Sequence, residues 1–417
     1  MSRIAVIGSG IAGLSAAWLL SREHEVWVFE RDTRIGGHTH TVTVDTPDGP
    51  VPVDTGFIVH NRANYPNFVR LMAALGVETC PSDMSFAASG NAYPWCSRGL
   101  NGLFTERRHL LDPAFYGLWM EVLRFNRVAR ELLTGTGAAS PTLGEYLARH
   151  RFSARFKAEY LYPMAGAVWS TTLVDMEAFP ATTLVRFFHN HGFLGITTHH
   201  PWRTIPGGTS SYLEPLTRPY RDRIVTGARI ISLLRAAAGV HIHLEGEATQ
   251  VFDQVILACH GDQVLPMLAD PSPSEREVFG AFASNRTPTV LHRDASLLPP
   301  QRRGWASWNF RDHADSGRLV LTYHMNRLQP LATKQDWFVS LHAEDLLDPG
   351  TIAGRYAYEH PRFTREAIHA QSRWAEVSGP ASVQGRTHYA GAYWTYGFHE
   401  DGLNSGIRVA RDLGVAW

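Results

Sequence analysis

Cysteine is scarce in this sequence. Its 417 residues hold three, Cys80, Cys96 and Cys259, with neither a C-x-x-C pair nor the spacing of a disulfide framework. A disulfide-held scaffold is excluded, and such usage suits a reducing cytoplasm. Lysine is scarcer still: Lys157 and Lys334 are the only two, although lysine and arginine together number 39 and balance 39 acids. With no excess of either sign and no polybasic block, neither a nucleic-acid partner nor an acidic tail is expected. Long apolar runs are missing as well. None reaches the roughly 18 residues needed to span a bilayer, and no charged-then-apolar leader opens the chain. Cytoplasmic residence is the expectation. What remains is an ordinary well-packed composition, 44% hydrophobic and 19% charged, at a length of two to three domain equivalents.

The first forty residues carry the strongest signal. Residues 3–7 form a short apolar run of the kind buried in a parallel sheet. Gly8-Ser9-Gly10-Ile11-Ala12-Gly13 follows at once, then helix formers through residue 20, then a second strand over 26–29 ending on Glu30. This is a G-x-G-x-x-G turn in βαβ context, with an acid 17 residues past its last glycine. Gly8 permits the tight turn, Gly10 lets a pyrophosphate approach the backbone, and Gly13 lets helix and sheet pack closely. The helix N-terminus offers unpaired amides and partial positive charge to phosphates. Glu30 can accept ribose hydroxyls and would repel a 2′-phosphate.

The next loop runs Arg31-Asp32-Thr33-Arg34-Ile35-Gly36-Gly37-His38. A nicotinamide-binding turn has no use for the glycine pair. Two glycines here would let the loop lie against the ribityl-pyrophosphate stretch of FAD. The pattern resembles the glutathione-reductase-type FAD fold, and within it the branch of flavin amine oxidases, protoporphyrinogen oxidases and phytoene desaturases. Members of that branch commonly carry arginine after the pair. Here His38 stands in its place, with Arg34 as a substitute cation; an ordinary loop histidine is the alternative.

The resemblance implies further cofactor contacts. Thr55 and Gly56 match the place where the branch meets the flavin edge, ahead of a helix opened by Tyr65-Pro66; a hairpin and a core helix are the structural alternative. The glycines at 207–208 resemble the return from substrate domain to FAD domain, with Thr209 or Ser210 as helix N-cap. Strands over 229–235 and 240–244 would cover the adenine near Ile230, and 255–260 would return to the parallel sheet. In the last block a strand ends on Ala390-Gly391, and a helix opened by Gly402 and Leu403 would face the flavin. Relatives place an acid directly after the strand, where this chain has Ala392; Glu400 and Asp401 are the nearest replacements.

Phrases such as ACHGDQ at 258–263 and YGFHEDG at 396–402 are similar to those of a bacterial family of FAD/NAD-binding amine-oxidase-like flavoproteins. It is related to the N-terminal flavoprotein half of plant cyclopropane-fatty-acid synthases. The implied fold class is α/β, a glutathione-reductase-type FAD-binding Rossmann domain with an inserted α+β substrate domain. FAD-binding parts are expected at 1–85, 205–285 and 375–417, and substrate-domain parts at 86–204 and 286–374.

Within the first insertion, apolar residues at helical spacing from Leu110 to Leu133, with arginines and acids opposite, read as an amphipathic helix. It either packs on its own domain or rests on the inner membrane face through Phe115 and Trp119. Strand-like stretches lie at 318–324 and 337–341. His189-Asn190-His191 and His199-His200 lack the spacing of a metal site, so no metal is expected. Neither lysine is placed for amine oxidation. The leading expectation is an FAD-dependent oxidoreductase that passes hydride from an apolar small molecule, an unsaturated, methylated or cyclopropanated acyl chain, to flavin N5. His399 and Tyr396 are the candidates for positioning or proton handling. The alternatives are a flavin oxidase of a small amine, and a non-catalytic flavin-bound partner of a lipid methyltransferase.

Overall fold

The apolar run at the start of the chain forms β1 (Arg3–Ile7), the glycine turn leads into α1 (Ile11–Leu20), and β2 (Glu25–Phe29) lies parallel to β1. In the computed structural model, residues 1–89, 92–134, 141–169, 173–195, 200–313 and 318–417 are described. His199 lies outside them. β1 sits at the centre of a five-stranded parallel sheet. Its order is Ile224–Val225, Glu25–Phe29, Arg3–Ile7, Gln254–Leu257, Thr387–Tyr389. The beginning, middle and end of the chain therefore meet in one sheet. Ile4, Ala5 and Val6 are wholly buried because both faces are covered, which is why this strand reads as a continuous apolar run.

α1 is covered by the C-terminal helix His399–Asp412. Gly406 allows the approach: a Cβ there would lie 2.5 Å from the Ala12 carbonyl oxygen. A three-stranded antiparallel meander, Ile230–Ala236, Gly239–Leu244 and Gln250–Phe252, packs beside the sheet.

A seven-stranded sheet forms the second layer of the molecule. It takes Phe86–Ser89 and Trp95–Cys96 from the first half of the chain, and five strands between Ser284–His292 and Ile352–Pro361 from the second. Helices from residues 99–190 bury a separate aromatic-rich core against it, with Phe115, Phe125, Phe156 and Phe188 each at most 1% exposed.

Three expectations need correction. The amphipathic stretch is broken into Arg107–Leu111, Pro113–Val128 and Glu131–Thr134. Pro113 starts the middle helix, and the Asp112 side chain caps it by accepting from the Ala114 amide. Phe115 is wholly buried and cannot anchor anything outside the protein. Neither Thr209 nor Ser210 is an N-cap. Instead the Thr209 amide and hydroxyl donate to buried Asp54, and Ser210 Oγ accepts from the Thr41 amide. Finally, the last helix begins at His399 rather than Gly402. Asp401 accepts from the Phe398 amide and thereby caps a helix that starts one turn earlier.

Candidate active site

A cavity of about 710 Å³ runs along the C-terminal edge of the parallel sheet. This is where open α/β sheets place ligands, because loops diverge there and helix N-termini point inward. At one end lie Glu30, Arg31, Asp32, Ala228 and Ile230; at the other lie Phe57, Tyr65, Tyr396, Phe398, His399 and Gly402.

The glycine turn forms the floor. Gly8 has φ +105°, and a Cβ on it would meet the Ala258 carbonyl oxygen at 2.7 Å. Beside Gly10, by contrast, nothing lies within 4 Å of where a Cβ would be, so the wall is open there for a ligand. Gly13 does not line the cavity; it faces the Gly8 carbonyl and Ala258, the packing role expected of it. Glu30 reaches back over this turn. Its Oε2 accepts from the Ser9 amide at 2.9 Å and hydroxyl at 2.5 Å, and its Oε1 accepts from the Asp32 amide at 2.9 Å.

The Gly36-Gly37 loop is tied to the turn by a Gly36 amide to Ser9 carbonyl bond of 2.9 Å. It presents Arg34 and His38 to the cavity. His38 Nε2 is buried with no hydrogen-bond partner. Its ring lies 5.1 Å from that of His360 and 6.1 Å from that of His260. Burial first, and these neighbours second, hold His38 neutral, well below the usual imidazole range. His360 is lowered to about 4 for the same leading reason.

Thr55 and Gly56 line the wall between the two ends. They directly follow the hairpin Thr41–Thr46/Gly49–Asp54 and precede the helix Pro66–Leu75, so the block is the hairpin and helix of the structural alternative, with these two residues facing the cavity. Thr55 Oγ1 lies 2.6 Å from Tyr358 Oη and 2.9 Å from His40 Nδ1. Behind them, Asp54 is wholly buried and gathers Thr41, Thr209 and Gln329 at 2.5–3.1 Å. Burial pushes its carboxyl up to about 7 against those donors.

His399 opens the C-terminal helix at the far end. Its ring stacks on Phe57, with centroids 3.8 Å apart and planes 6° from parallel. Its Nε2 lies 2.8 Å from Tyr212 Oη, which in turn lies 2.6 Å from Thr39 Oγ1. Burial, with His60 nearby, lowers His399 to about 3. It is a fixed, neutral ring at physiological pH. Tyr396 and Gly391 also reach this end.

Three expected residues are elsewhere. Glu400 accepts from the amides of Asn67 and Phe68, each at 2.9 Å, at the start of helix Pro66–Leu75. Both Glu400 and Asp401 border an adjoining cavity of about 480 Å³ rather than the larger one. They are there because unpaired helix amides attract carboxylates. Leu403 is 1% exposed in the core under α1. Sequence reasoning missed Tyr358 and His360, although Tyr356, Tyr358 and His360 alternate along one strand. It also missed Phe57, which sits one position past Gly56.

The whole fold is shared with solved structures. A cyclohexylamine oxidase from Brevibacterium oxydans IH-35A superposes with a TM-score of 0.72 at 15% identity, covering 98% of both chains. A putrescine oxidase gives 0.71 at 14% identity, over 99% of this chain and 98% of the other. A CLA-producing fatty acid isomerase from P. acnes gives 0.67 at 16% identity, over 98% of both. In sequence, the family described as flavin containing amine oxidoreductase matches residues 11–291, about two thirds of the chain, and this protein belongs to that family.

Proposed function

We propose that the chain oxidises an apolar substrate of the acyl-chain class at the His399 end of the cavity, with FAD along the remainder. Bound FAD supplies the two-electron acceptor. The residues present fit it: an open wall at Gly10, two inward helix N-termini, and a buried, unpartnered His38 Nε2.

In this reading the parallel sheet and its helices are the Rossmann part of the protein, and segments 86–204 and 286–374 are the substrate domain. The amides of Gly10, Ile11 and Ala12 face the phosphates, with Arg31, Arg34 and His38 alongside, while the Ser9 amide is taken by Glu30. Glu30 holds the ribose and Ile230 the adenine. Gly36 and Gly37 keep the loop low, while Thr55, Gly56, Gly391 and Gly402 border the ring. At the three glycines a Cβ would meet His38, Tyr393 and Ile11 in turn, so their lack of a side chain lets the wall itself close up. His399 positions rather than transfers protons, since a ring lowered to about 3 is a poor base near neutrality. Tyr212 fixes its orientation.

One observation carries the substrate class. The cavity is lined by Phe57, Tyr65, Tyr323, Leu341, Phe363, Tyr396 and Phe398, with the Phe57 ring stacked on His399, and the lining acids Glu30 and Asp32 lie at the opposite end. A long apolar group gains about 0.8 kcal/mol for each methylene buried there. The likeness to a protein named as a fatty acid isomerase supports the same class.

A second reading, a small amine, has its own support. Glu400 and Asp401 act electrostatically on Tyr65 from the adjoining cavity, and aromatic faces attract cations. Anaerobic mixing separates the two. Fatty acids or phospholipids in detergent are expected to bleach the oxidised flavin, and a panel of primary amines is not. Bleaching by amines alone would reverse the assignment.

A further inference from the structure

We propose that the outer face of helix Pro113–Val128, with Leu100 and Leu111 beside it, docks this protein onto an anionic phospholipid bilayer. The inner face of that helix is spent on the core: Phe115, Leu118, Val122 and Phe125 are at most 5% exposed. The outer face carries Pro113, Tyr116, Gly117, Met120 and Leu123, spaced so that they share one side, and all are exposed. Met120 is 65% exposed, Leu111 90% and Leu100 75%.

These residues form one patch. Tyr116 Oη donates to the Leu110 carbonyl at 2.8 Å, and the Phe104 and Tyr116 rings lie 6.3 Å apart. Arg107 bonds Asn101, joining the turn that bears Leu111 to the one that bears Leu100. Among the described residues, ten large apolar side chains are exposed, and six of them fall between positions 100 and 123. Scattered exposed leucines need no explanation, but such a concentration does.

Charge selects the occupant. Between positions 98 and 134 the exposed charged residues are Arg98, Arg107, Arg108, Arg127, Arg130 and Glu131, five cations to one acid, and Glu131 accepts from Tyr146 and faces His150. The other acids of the stretch are half-buried and engaged. Glu106 faces Arg108 and His109, Asp112 caps the helix, and Glu121 accepts from Ser153 and Arg124. An apolar stripe with cations at both ends lies flat in an anionic lipid interface. A second copy would bring arginine against arginine. The buried side of the same helix belongs to the apolar cluster that also holds Phe363 and Phe398 of the cavity wall. The docking face does not depend on which substrate the cavity takes.

Co-sedimentation of the FAD-loaded protein with vesicles tests this. Binding is expected to equal mixtures of phosphatidylglycerol and phosphatidylcholine, at least tenfold weaker to phosphatidylcholine alone, and to weaken as salt rises. Met120→Glu should lower binding at least tenfold while flavin content and melting temperature stay unchanged, since the side chain is exposed. Arg107→Ala with Arg127→Ala should flatten the salt dependence. Absence of binding to the anionic vesicles, or binding that Met120→Glu leaves intact, overturns the proposal. So does a concentration-dependent dimer that Met120→Glu dissolves, which would make the face a contact between copies.

Discussion

Glu30 can be made to report on how the adenosine end is held. Each carboxylate oxygen accepts two hydrogen bonds. Oε2 already receives both the Ser9 amide and the Ser9 hydroxyl, while Oε1 receives only the Asp32 amide. One acceptor site is therefore left for a ribose hydroxyl, not two. A charge-assisted hydrogen bond contributes about 1.5–3 kcal/mol, so Glu30→Ala should weaken FAD binding about 10- to 150-fold. The same change unpairs the Ser9 and Asp32 amides, so the apoprotein should also melt a few degrees lower. Ser9→Ala provides the control. It frees a second acceptor site on Oε2, so affinity should hold or rise even though a side-chain bond is lost. Titration of apoprotein with FAD, alongside thermal melting of both variants, measures the two effects separately. If Glu30→Ala melts lower yet binds FAD as tightly as the parent, the carboxylate is only a clamp on the glycine turn and the reasoning fails.

Acid extraction of the purified protein should release FAD and not FMN, as a cavity spanning both Ile230 and His399 requires. Gly406→Ala should cost about 1–3 kcal/mol in thermal or denaturant unfolding, because its Cβ would meet Ser15 Oγ at 2.4 Å and the Ala12 carbonyl at 2.5 Å; an unchanged midpoint would refute the tight helix contact. Stability should rise with pH between about 4 and 6.5: His60, His191, His292, His360 and His388 are held near 4 and His399 near 3, so the unfolded chain binds more protons there. Asp54 and Asp401, raised to about 7, act in the opposite sense but are outnumbered, and a melting temperature that falls across this window would contradict the burial of those histidines. His399→Phe should keep the stack on Phe57 and lower turnover, without moving the acid limb of the kcat/KM profile; a shifted limb would make His399 a titrating group.

The parts of the fold legible in the sequence are those where one local rule dominates. β1, the glycine turn, α1 and β2 follow from an apolar run, backbone space at Gly8 and a helix-forming stretch, and none of these needs a distant partner. Two of the meander's three strands and the strand at residues 254–257 were readable for the same reason, while the short Gln250–Phe252 was not. The errors came where distant chain decided. Glu400 in a first helical turn looks the same whether it faces a ligand or caps another helix, and its actual partners, Asn67 and Phe68, are more than 330 residues away. Thr209 has the composition of an N-cap, yet buried Asp54 claims both its donors. Tyr356, Tyr358 and His360 did carry a readable two-residue alternation. What it could not reveal was that this strand, paired on one side with Ser284–His292, also lines the cavity through its last residues.

The relocated carboxylates also bear on the choice between an acyl chain and an amine. An alkyl ammonium with an ordinary pKa near 10.4 costs about 4–5 kcal/mol to strip of its proton at pH 7. Left charged, it needs a partner in the wall. Aromatic faces return about 0.5–2 kcal/mol each when desolvated, and Tyr65, Tyr396 and Phe398 can supply them. The carboxylates that would complete the pairing border the adjoining cavity and are already partly used, Glu400 by two amides and Asp401 by a third. Burial raises both, Asp401 to about 7, so its charge is itself half lost near neutrality. The neighbouring histidines, His38, His60 and His399, are lowered chiefly by the same burial. A wall that discourages charge on its own side chains discourages it on a ligand too. Four or five buried methylenes would contribute about 3–4 kcal/mol and ask nothing of those groups, and this asymmetry favours the acyl chain.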